Sequence, residues 1–353
     1  MTKLFITGAT GYIGGDALYA IANKYPDLEI TALVRNSDKG AKVAAQYPKT
    51  RLVYGTLEST ELLTTEASNA DIVLHTADCD HVASATALVA GLGQNGRKTY
   101  LIHTSGTGVL SFEDFETNTY GSKRDKVYDD WDHISQVTSL PDVALHRNVD
   151  KIILGSNKAS AGKIQSAIVC PPCIYGPGRG PGNQRSVQVY DMTKFALKRM
   201  KGFVVGNGEN IWTQVHVHDL SELYLALVTA ALSPDGGKAS WNTEGYYFAE
   251  NGDFCWGDVG RKIGEIAFKN KLINHDGIDK VSKEEADEMR PFGSYLWGTS
   301  SRCRAIRANK LLGWSPKQKS IFDLLPDIVD NEAKVLGRIR QHAEEAAEGR
   351  ILK

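Results

Sequence analysis

The opening stretch Lys3-Leu4-Phe5-Ile6-Thr7-Gly8-Ala9-Thr10-Gly11-Tyr12-Ile13-Gly14 constrains this chain more than any other. Its first residues form a short apolar run that reads as a β-strand. The residues that follow, Asp16 to Ala22, repeat apolar side chains at helical spacing. Strand, glycine turn and helix in that order make a cradle for a phosphate group. Glycine permits the tight turn and lets the backbone approach an anion closely. The helix start then offers free N–H groups and the positive end of its dipole. The spacing is Gly8-x-x-Gly11-x-x-Gly14, so Gly8, Thr10, Gly11, Tyr12, Ile13 and Gly14 are the candidate contacts to the pyrophosphate of a dinucleotide.

The next segments repeat the alternation. Leu28–Val34, Arg51–Gly55, Ala70–Ala77 and Thr99–Gly106 read as strands, with helical stretches such as Val82–Leu92 between them. Alternation at this spacing implies βαβ units, and right-handed crossovers then give a doubly wound parallel α/β sheet. Ligands of such sheets sit at the carboxyl ends of the strands. That places Thr76-Ala77-Asp78, Asp80-His81 and Ser105-Gly106-Thr107 on the rim; Asp80 and His81 read as strand-end caps. Arg35 follows the second strand directly, and positions 34–36 hold no acidic residue. An acid there would accept from a ribose 2′-hydroxyl, whereas an arginine accommodates a 2′-phosphate, so NADP(H) is expected over NAD(H).

With 353 residues, the chain has room for one large or two medium domains. Its net charge of −1 gives no global field to attract nucleic acid or a membrane surface. No apolar run reaches the length of a membrane span, and the first strand begins too early to leave room for a signal peptide. Five cysteines, an odd number, do not make a disulfide framework. A reduced, cytoplasmic protein is expected. Cys170 and Cys173 read as structural, because the pair ends a strand and does not open a helix. A lone C-x-x-C also excludes a four-thiolate zinc site, and no metal is expected.

Several segments together resemble the extended short-chain dehydrogenase/reductases, which include nucleotide-sugar epimerases, dehydratases and many ketone reductases. They are the glycine turn, Asp71-x-Val73-x-His75-x-Ala77, His103-Thr104-Ser105, Cys170-Pro171-Pro172-Cys173-Ile174-Tyr175-Gly176-Pro177, Gly206-Asn207-Gly208, Val215-His216-Val217-His218-Asp219 and Leu312-Gly313-Trp314-Ser315-Pro316. The resemblance implies a Rossmann sheet spanning residues 1–178, with 212–232 returning to it. Residues 179–211 and 233–353, including a strand at Tyr246–Phe248, would then form a smaller substrate lobe. It also implies cofactor contacts from Thr76, Ala77, Thr104 and Pro172. The partner is a small-molecule substrate, and a homodimer is compatible with the resemblance.

The family's proton chemistry rests on Tyr-x-x-x-Lys in the helix after the fifth strand, and this chain lacks it there. Among 14 tyrosines only Tyr190 has a lysine four residues on, and it lies beyond the Tyr-Gly-Pro signature. Tyr120 has Arg124 in that place. The expected helix, Ala144–Leu154, offers His146 and Asp150, one turn apart, as an acid/base and its orienting carboxylate. Ser105 or Thr107 would orient the substrate oxygen. Tyr175, beside the nicotinamide by resemblance, is another candidate proton donor.

Val109–Pro141 reads as either an active-site flap or a surface excursion. Gly176–Arg185 reads as the crossing into the lobe, with Arg179 and Arg185 available to an anion. Glu332–Lys353 reads as a charged amphipathic helix. The expected activity is an NADP(H)-dependent oxidoreductase working on a carbonyl or alcohol. The alternatives are a cofactor-bound isomerase, epimerase or dehydratase, and an inactive NADP(H)-sensing regulator.

Overall fold

Seven short parallel strands form one sheet: β1 (Lys3–Thr7), β2 (Glu29–Val34), β3 (Arg51–Tyr54), β4 (Ile72–His75), β5 (Thr99–Thr104), β6 (Ile164–Cys170) and β7 (Tyr246–Phe248). Their order is β7-β6-β5-β4-β1-β2-β3 in the computed structural model, which describes residues 2–339. The order reverses between β1 and β4, which opens a crevice at the carboxyl ends of the strands there.

Side-chain alternation explains how both faces are covered. Leu4 and Ile6 of β1 point into one core with Ile30, Ile72 and Leu74. There they meet α1 (Tyr12–Lys24) through Leu18 and Ile21, and the helix Val217–Leu232 through Leu220, Leu223 and Leu227. Phe5 points the other way, with Leu33, Val73 and Leu101. That face is closed by α3 (Thr60–Ser68), α4 (Val82–Gln94) and α5 (Arg147–Ala159), through Leu63, Leu88 and Ile153. Between β2 and β3 lies α2 (Ser37–Gln46).

A third core lies outside the sheet. The helices Gln188–Arg199, Trp256–Lys269 and Ile321–Val335 pack Leu197, Ile263 and Leu325 together with Phe203 and Trp297. Two small sheets join this region: Gly202–Val205 pairs with Ile278–Val281, and Ile211–His216 pairs with Cys173–Tyr175 and Asp253–Cys255.

Two parts of the chain expected in the lobe join the main sheet or the core on its face instead. β7 pairs in parallel with β6, Tyr246 opposite Ile168. Its three aromatic side chains are buried, Tyr246 and Phe248 in one core and Tyr247 in the other. A strand this short carries no signal of its partner. Ala308 and Trp314 likewise pack into the core shared by α1.

The segment 109–141 is fastened down. Tyr128–Asp129 pairs with Cys303–Arg304. The Asp130 carboxylate is fully buried and accepts hydrogen bonds from the backbone N–H of Ile306 (2.8 Å), Arg307 (2.9 Å) and Phe248 (2.9 Å). Burial nevertheless pushes its pKa up to about 6. At the other terminus, Glu332 to Val335 continue the helix that begins at Ile321; residues 340–353 of the expected tail helix lie outside the described residues. No helix among the described residues is long and apolar enough to cross a membrane.

Two histidines sit inside the sheet. His75 and His103 are opposite each other on β4 and β5, with ring centroids 5.0 Å apart in an edge-to-face arrangement. Burial lowers the pKa of both, that of His75 to about 4. The unfolded chain therefore binds these protons below pH ~6.5 while the folded chain does not. Stability is expected to be full above that pH and to decline below it. His75 alone accounts for up to about 3 kcal/mol by the time pH reaches its folded pKa. Urea unfolding midpoints across this window, for wild type and His75→Asn, test this. A midpoint independent of pH in the wild type, or a decline as steep in the variant, would show that His75 is not the cause.

Candidate functional site

The glycine turn is tightly packed. Gly8 has φ +82°, and a Cβ there would sit 2.5 Å from the Thr76 carbonyl oxygen. A Cβ on Gly14 would sit 2.1 Å from Thr76 Oγ1 and 2.5 Å from the Gly8 carbonyl oxygen. Thr76 is held there because its hydroxyl donates to the Thr7 carbonyl (2.7 Å). Gly11 N–H closes the turn onto the Gly8 carbonyl (2.8 Å) and Gly11 caps α1, whose first turn carries no acidic side chain to repel an anion. A cavity of about 260 Å³ opens beside it, lined by Tyr12, Ile13, Thr76 and Pro172 on one side and Val187 and Gln188 on the other.

The crossing segment is clamped over the start of α1. Asp16, fully buried, accepts from Arg179 N–H (2.7 Å), Arg179 Nη2 (2.6 Å) and Ser221 Oγ (2.6 Å). Burial works against its charge, but these hydrogen bonds outweigh burial and hold its pKa below the usual carboxylate range. Tyr12 donates to the Gly176 carbonyl (2.6 Å), and Asn183 N–H donates to the Thr10 carbonyl (3.0 Å). Arg179 is thus committed to Asp16, and Arg185 to Glu332 and Asp191. Neither is free for a substrate anion, as the sequence had allowed.

At the far end of β2, Arg35 is exposed and has no partner among the described residues. The neighbouring Asn36 caps α2 by accepting from Lys39 N–H (3.0 Å). Arg35 therefore stands beside a helix start with its charge unspent.

The expected catalytic residues divide. His146 is not inside α5; it precedes the helix in left-handed backbone, φ 67°. Its ring makes no hydrogen bond to Asp150. Its Nδ1 instead meets Asp80 Oδ1 at 2.7 Å and Cys79 Sγ at 3.3 Å, both just beyond β4. Its Nε2 faces the end of β5, 3.1 Å from where a Cβ on Gly106 would lie. Burial opposes the imidazolium charge, but the hydrogen bonds to Asp80 and Cys79 overcome it and carry the pKa up to about 10. The same pairing depresses Asp80. At neutral pH this is an imidazolium held by a carboxylate.

Asp150 is buried behind the site. Its Oδ2 accepts from Ser105 Oγ (3.1 Å) and Tyr246 OH (3.2 Å), its Oδ1 has no partner, and burial raises its pKa to about 6. The pairing of His146 with Asp150 expected from helical spacing is therefore replaced by His146 with Asp80. The Ser105 hydroxyl is turned toward Asp150. The Thr104 hydroxyl is shared with Tyr224 OH (2.6 Å), whereas Thr107 Oγ1 is buried without a partner. Tyr175 is fully buried in the third core and its hydroxyl donates to the Lys319 carbonyl (2.9 Å); this engagement takes it out of the role of proton donor.

His81, by contrast, is an ordinary helix cap: Nδ1 accepts from Ser84 N–H (3.1 Å), and Nε2 faces Glu58 (2.8 Å). Cys170 and Cys173 are free and buried, and burial pushes both thiols up. Tyr190 packs beneath Arg185 in the third core, so its spacing to Lys194 has no bearing on this site.

A parallel sheet in this order with a glycine turn at its switch point defines a dinucleotide-binding protein, and the comparisons agree. Residues 8–131 match a family described as NAD(P)H-binding. Oxidase ucsJ of an Acremonium species is 35% identical over 343 residues, covering 95% of this chain and 99% of that protein. An uncharacterized protein of Saccharomyces cerevisiae is 24% identical, covering 93% and 98%.

Among solved structures, UDP-glucose 4-epimerase of Thermotoga maritima with UDP-glucose aligns with a TM-score of 0.65 at 16% identity, over 95% of this chain and 100% of that one. DesIV, a dTDP-glucose 4,6-dehydratase of Streptomyces venezuelae with NAD bound, aligns with a TM-score of 0.65 at 17% identity, over 95% and 98%. The chain belongs to one family with oxidase ucsJ, carries an NAD(P)H-binding region, and has the fold of the epimerases and dehydratases of the extended short-chain dehydrogenase/reductase type.

Proposed function

We propose that this protein is an NADP(H)-dependent oxidoreductase acting on a carbonyl or alcohol of a small molecule, with His146 in place of the family's tyrosine. The observation that carries the reading is the Asp80–His146 pair beyond the carboxyl ends of β4 and β5, with Asp80 on the loop that starts at Thr76 against the glycine turn. The chain's own groups fit the cofactor. Gly8 and Gly14 let the turn pack directly onto Thr76, where any Cβ would collide, and so keep the backbone N–H groups at the start of α1 available to a pyrophosphate. Thr76, Ala77 and Pro172 line its path, and Arg35 with the start of α2 would receive the 2′-phosphate.

Bound NADP(H) would supply or accept the hydride. The carbonyl oxygen then needs one proton, and the His146 imidazolium, held by Asp80 on Nδ1, would deliver it from Nε2 and be left as the neutral ring with Nδ1–H still bonded to Asp80. Asp80 fixes the tautomer and ring orientation. Ser105 and Asp150 would hold the floor of the site without touching substrate. The similarity to a protein named an oxidase supports a redox reaction over isomerisation. The cysteines among the described residues are all free, which supports a reducing, cytoplasmic setting.

The cofactor part is tested by titrating wild type and Arg35→Ala with NADPH and NADH, following nicotinamide fluorescence. Loss of a charged contact to the 2′-phosphate should weaken NADPH by on the order of tenfold and leave NADH unchanged. Equal affinities in the wild type would remove the NADP(H) preference.

A further inference from the structure

Gly108 marks a meeting point behind the end of β5. The position that a Cβ on Gly108 would occupy lies 3.1 Å from the Tyr295 hydroxyl oxygen, 3.4 Å from His146 Nε2 and 3.6 Å from Leu145 Cδ1. Tyr295 is anchored there, because its hydroxyl donates to the Gly108 carbonyl. It rides on the helix Gly293–Gly298, which is fastened to the start of the helix Gln188–Arg199: Gln188 Nε2 donates to the Leu296 carbonyl (3.2 Å) and Trp297 Nε1 donates to the Gln188 carbonyl (3.0 Å). Leu145 and Tyr295 thus meet at Gly108 beside His146, and the Tyr295 helix is tied through Leu296 and Trp297 to Gln188 of the cavity wall.

Four of the ten exposed large apolar side chains among the described residues lie on these same segments. Val143 (73% exposed) and Leu145 (42%) precede His146, Phe292 (74%) begins the Tyr295 helix, and Val187 (41%) lines the cavity. Leaving such groups in water is unfavourable, and a bound apolar body would cover them.

Charge points the same way. A nucleoside diphosphate sugar carries a diphosphate that sites hold with unpaired cations, arginine above all. Every arginine from 179 to 307 already has a carboxylate partner: Arg179 with Asp16, Arg185 with Glu332, Arg199 with Asp279, Arg261 with Asp258, Arg290 with Asp191, Arg302 and Arg304 with Asp253, and Arg307 with Glu244. None of these eight guanidiniums is left spare for a diphosphate.

We infer that the site takes an uncharged, largely apolar carbonyl or alcohol compound and rejects nucleoside diphosphate sugars, with Leu145 and Tyr295 selecting and positioning it. The location of its reacting group rests on the reading of His146 as proton donor; the class of compound does not.

The test uses the intact protein saturated with NADP⁺. Calorimetry in that state measures binding of a panel of aryl ketones and medium-chain aldehydes and of UDP-glucose, and a separate assay with NADPH supplied in place of NADP⁺ measures turnover of each by loss of absorbance. The neutral compounds are expected to bind and UDP-glucose to leave no signal. Leu145→Asp, at an exposed position that tolerates a polar residue, should weaken the best ketone by at least tenfold with NADPH affinity and melting temperature unchanged. Tyr295→Phe should raise KM for that ketone while changing kcat little, a split that a general loss of structure would not produce. UDP-glucose binding more tightly than every neutral compound, no binding by any neutral compound, or a Leu145→Asp variant that binds the ketone as well as wild type would each overturn the inference. Ketones that bind but are never reduced would uphold the substrate class and count against the oxidoreductase reading. Turnover of a nucleotide sugar with consumption of NADPH would do the reverse.

Discussion

Gly14→Val is expected to abolish NADPH binding and to lower the stability of the folded chain. The first β-carbon of any side chain at this position meets Thr76 Oγ1 at 2.1 Å and the Gly8 carbonyl oxygen at 2.5 Å. Thr76 cannot swing aside freely, since its hydroxyl is bonded to the Thr7 carbonyl. Gly8 cannot retreat either, since it sits at φ +82° with its own Cβ position blocked by Thr76. The turn must therefore open, which moves the backbone N–H groups of the α1 start away from where a pyrophosphate would lie.

Overpacking of this kind costs roughly 1–3 kcal/mol in stability. The loss of the anion cradle should weaken NADPH at least a hundredfold, on the order of 3 kcal/mol. Two further variants separate binding from folding. Gly11→Ala faces only the Gly8 carbonyl at 3.1 Å and should melt close to wild type. Combining Gly14→Ala with Thr76→Ala removes the contact with the hydroxyl but leaves the contact with the Gly8 carbonyl. It should recover part of the lost melting temperature while NADPH binding stays weak. Wild-type NADPH affinity in folded Gly14→Val would mean that the dinucleotide does not lie on this turn.

The turn was readable from sequence because its determinants are local: a strand, three glycines and a helix within a few residues. The sheet was readable for a related reason. Its strands are short apolar runs bounded by polar or glycine residues, and strands such as Ile72–His75, buried along their whole length, leave a continuous hydrophobic signal. What sequence could not supply was pairing between distant segments. Tyr246–Phe248 was recognisable as a strand, yet nothing in three aromatic residues names β6 as its neighbour. Asp130 looked like one charge in a polar stretch. Its meaning comes from the N–H groups of Phe248, Ile306 and Arg307, which the fold brings to it.

The candidate site failed to read for the same reason, with one addition. Helical spacing paired His146 with Asp150, but the helix starts one residue later than that pairing needs. His146 takes left-handed backbone, and its ring turns to a different strand end. Asp80 was on the rim in sequence and was read as a cap, because its partner is 66 positions away. A histidine directly ahead of a helix, with a carboxylate just beyond β4, was the only available signal, and it required the fold to join its two halves.

His146→Asn should lower the rate of carbonyl reduction by roughly a hundred- to ten-thousand-fold, the range for loss of a positioned general acid. Asparagine tolerates left-handed backbone, so the substitution removes the ring nitrogens with little added strain at φ 67°. NADPH affinity and melting temperature should stay near wild type. The pH profile carries the stronger test. Reduction needs the protonated ring, whose pKa is carried to about 10 against the effect of burial by Asp80 and Cys79. The rate should therefore be flat through neutral pH and fall, one proton at a time, as pH passes about 10. Alcohol oxidation needs the unprotonated ring, so its rate should rise over the same range; the pair is poised for reduction at neutral pH. Asp80→Asn removes an interaction that favours the charge and leaves burial opposing it. The fall in the reduction profile should then move to lower pH, and oxidation at neutral pH should gain relative to reduction. A limb near pH 10 that stays in place in Asp80→Asn, or that persists in His146→Asn, would assign the proton to another group. Tyr295 would be the next to examine, because its hydroxyl lies on the same glycine as His146 Nε2.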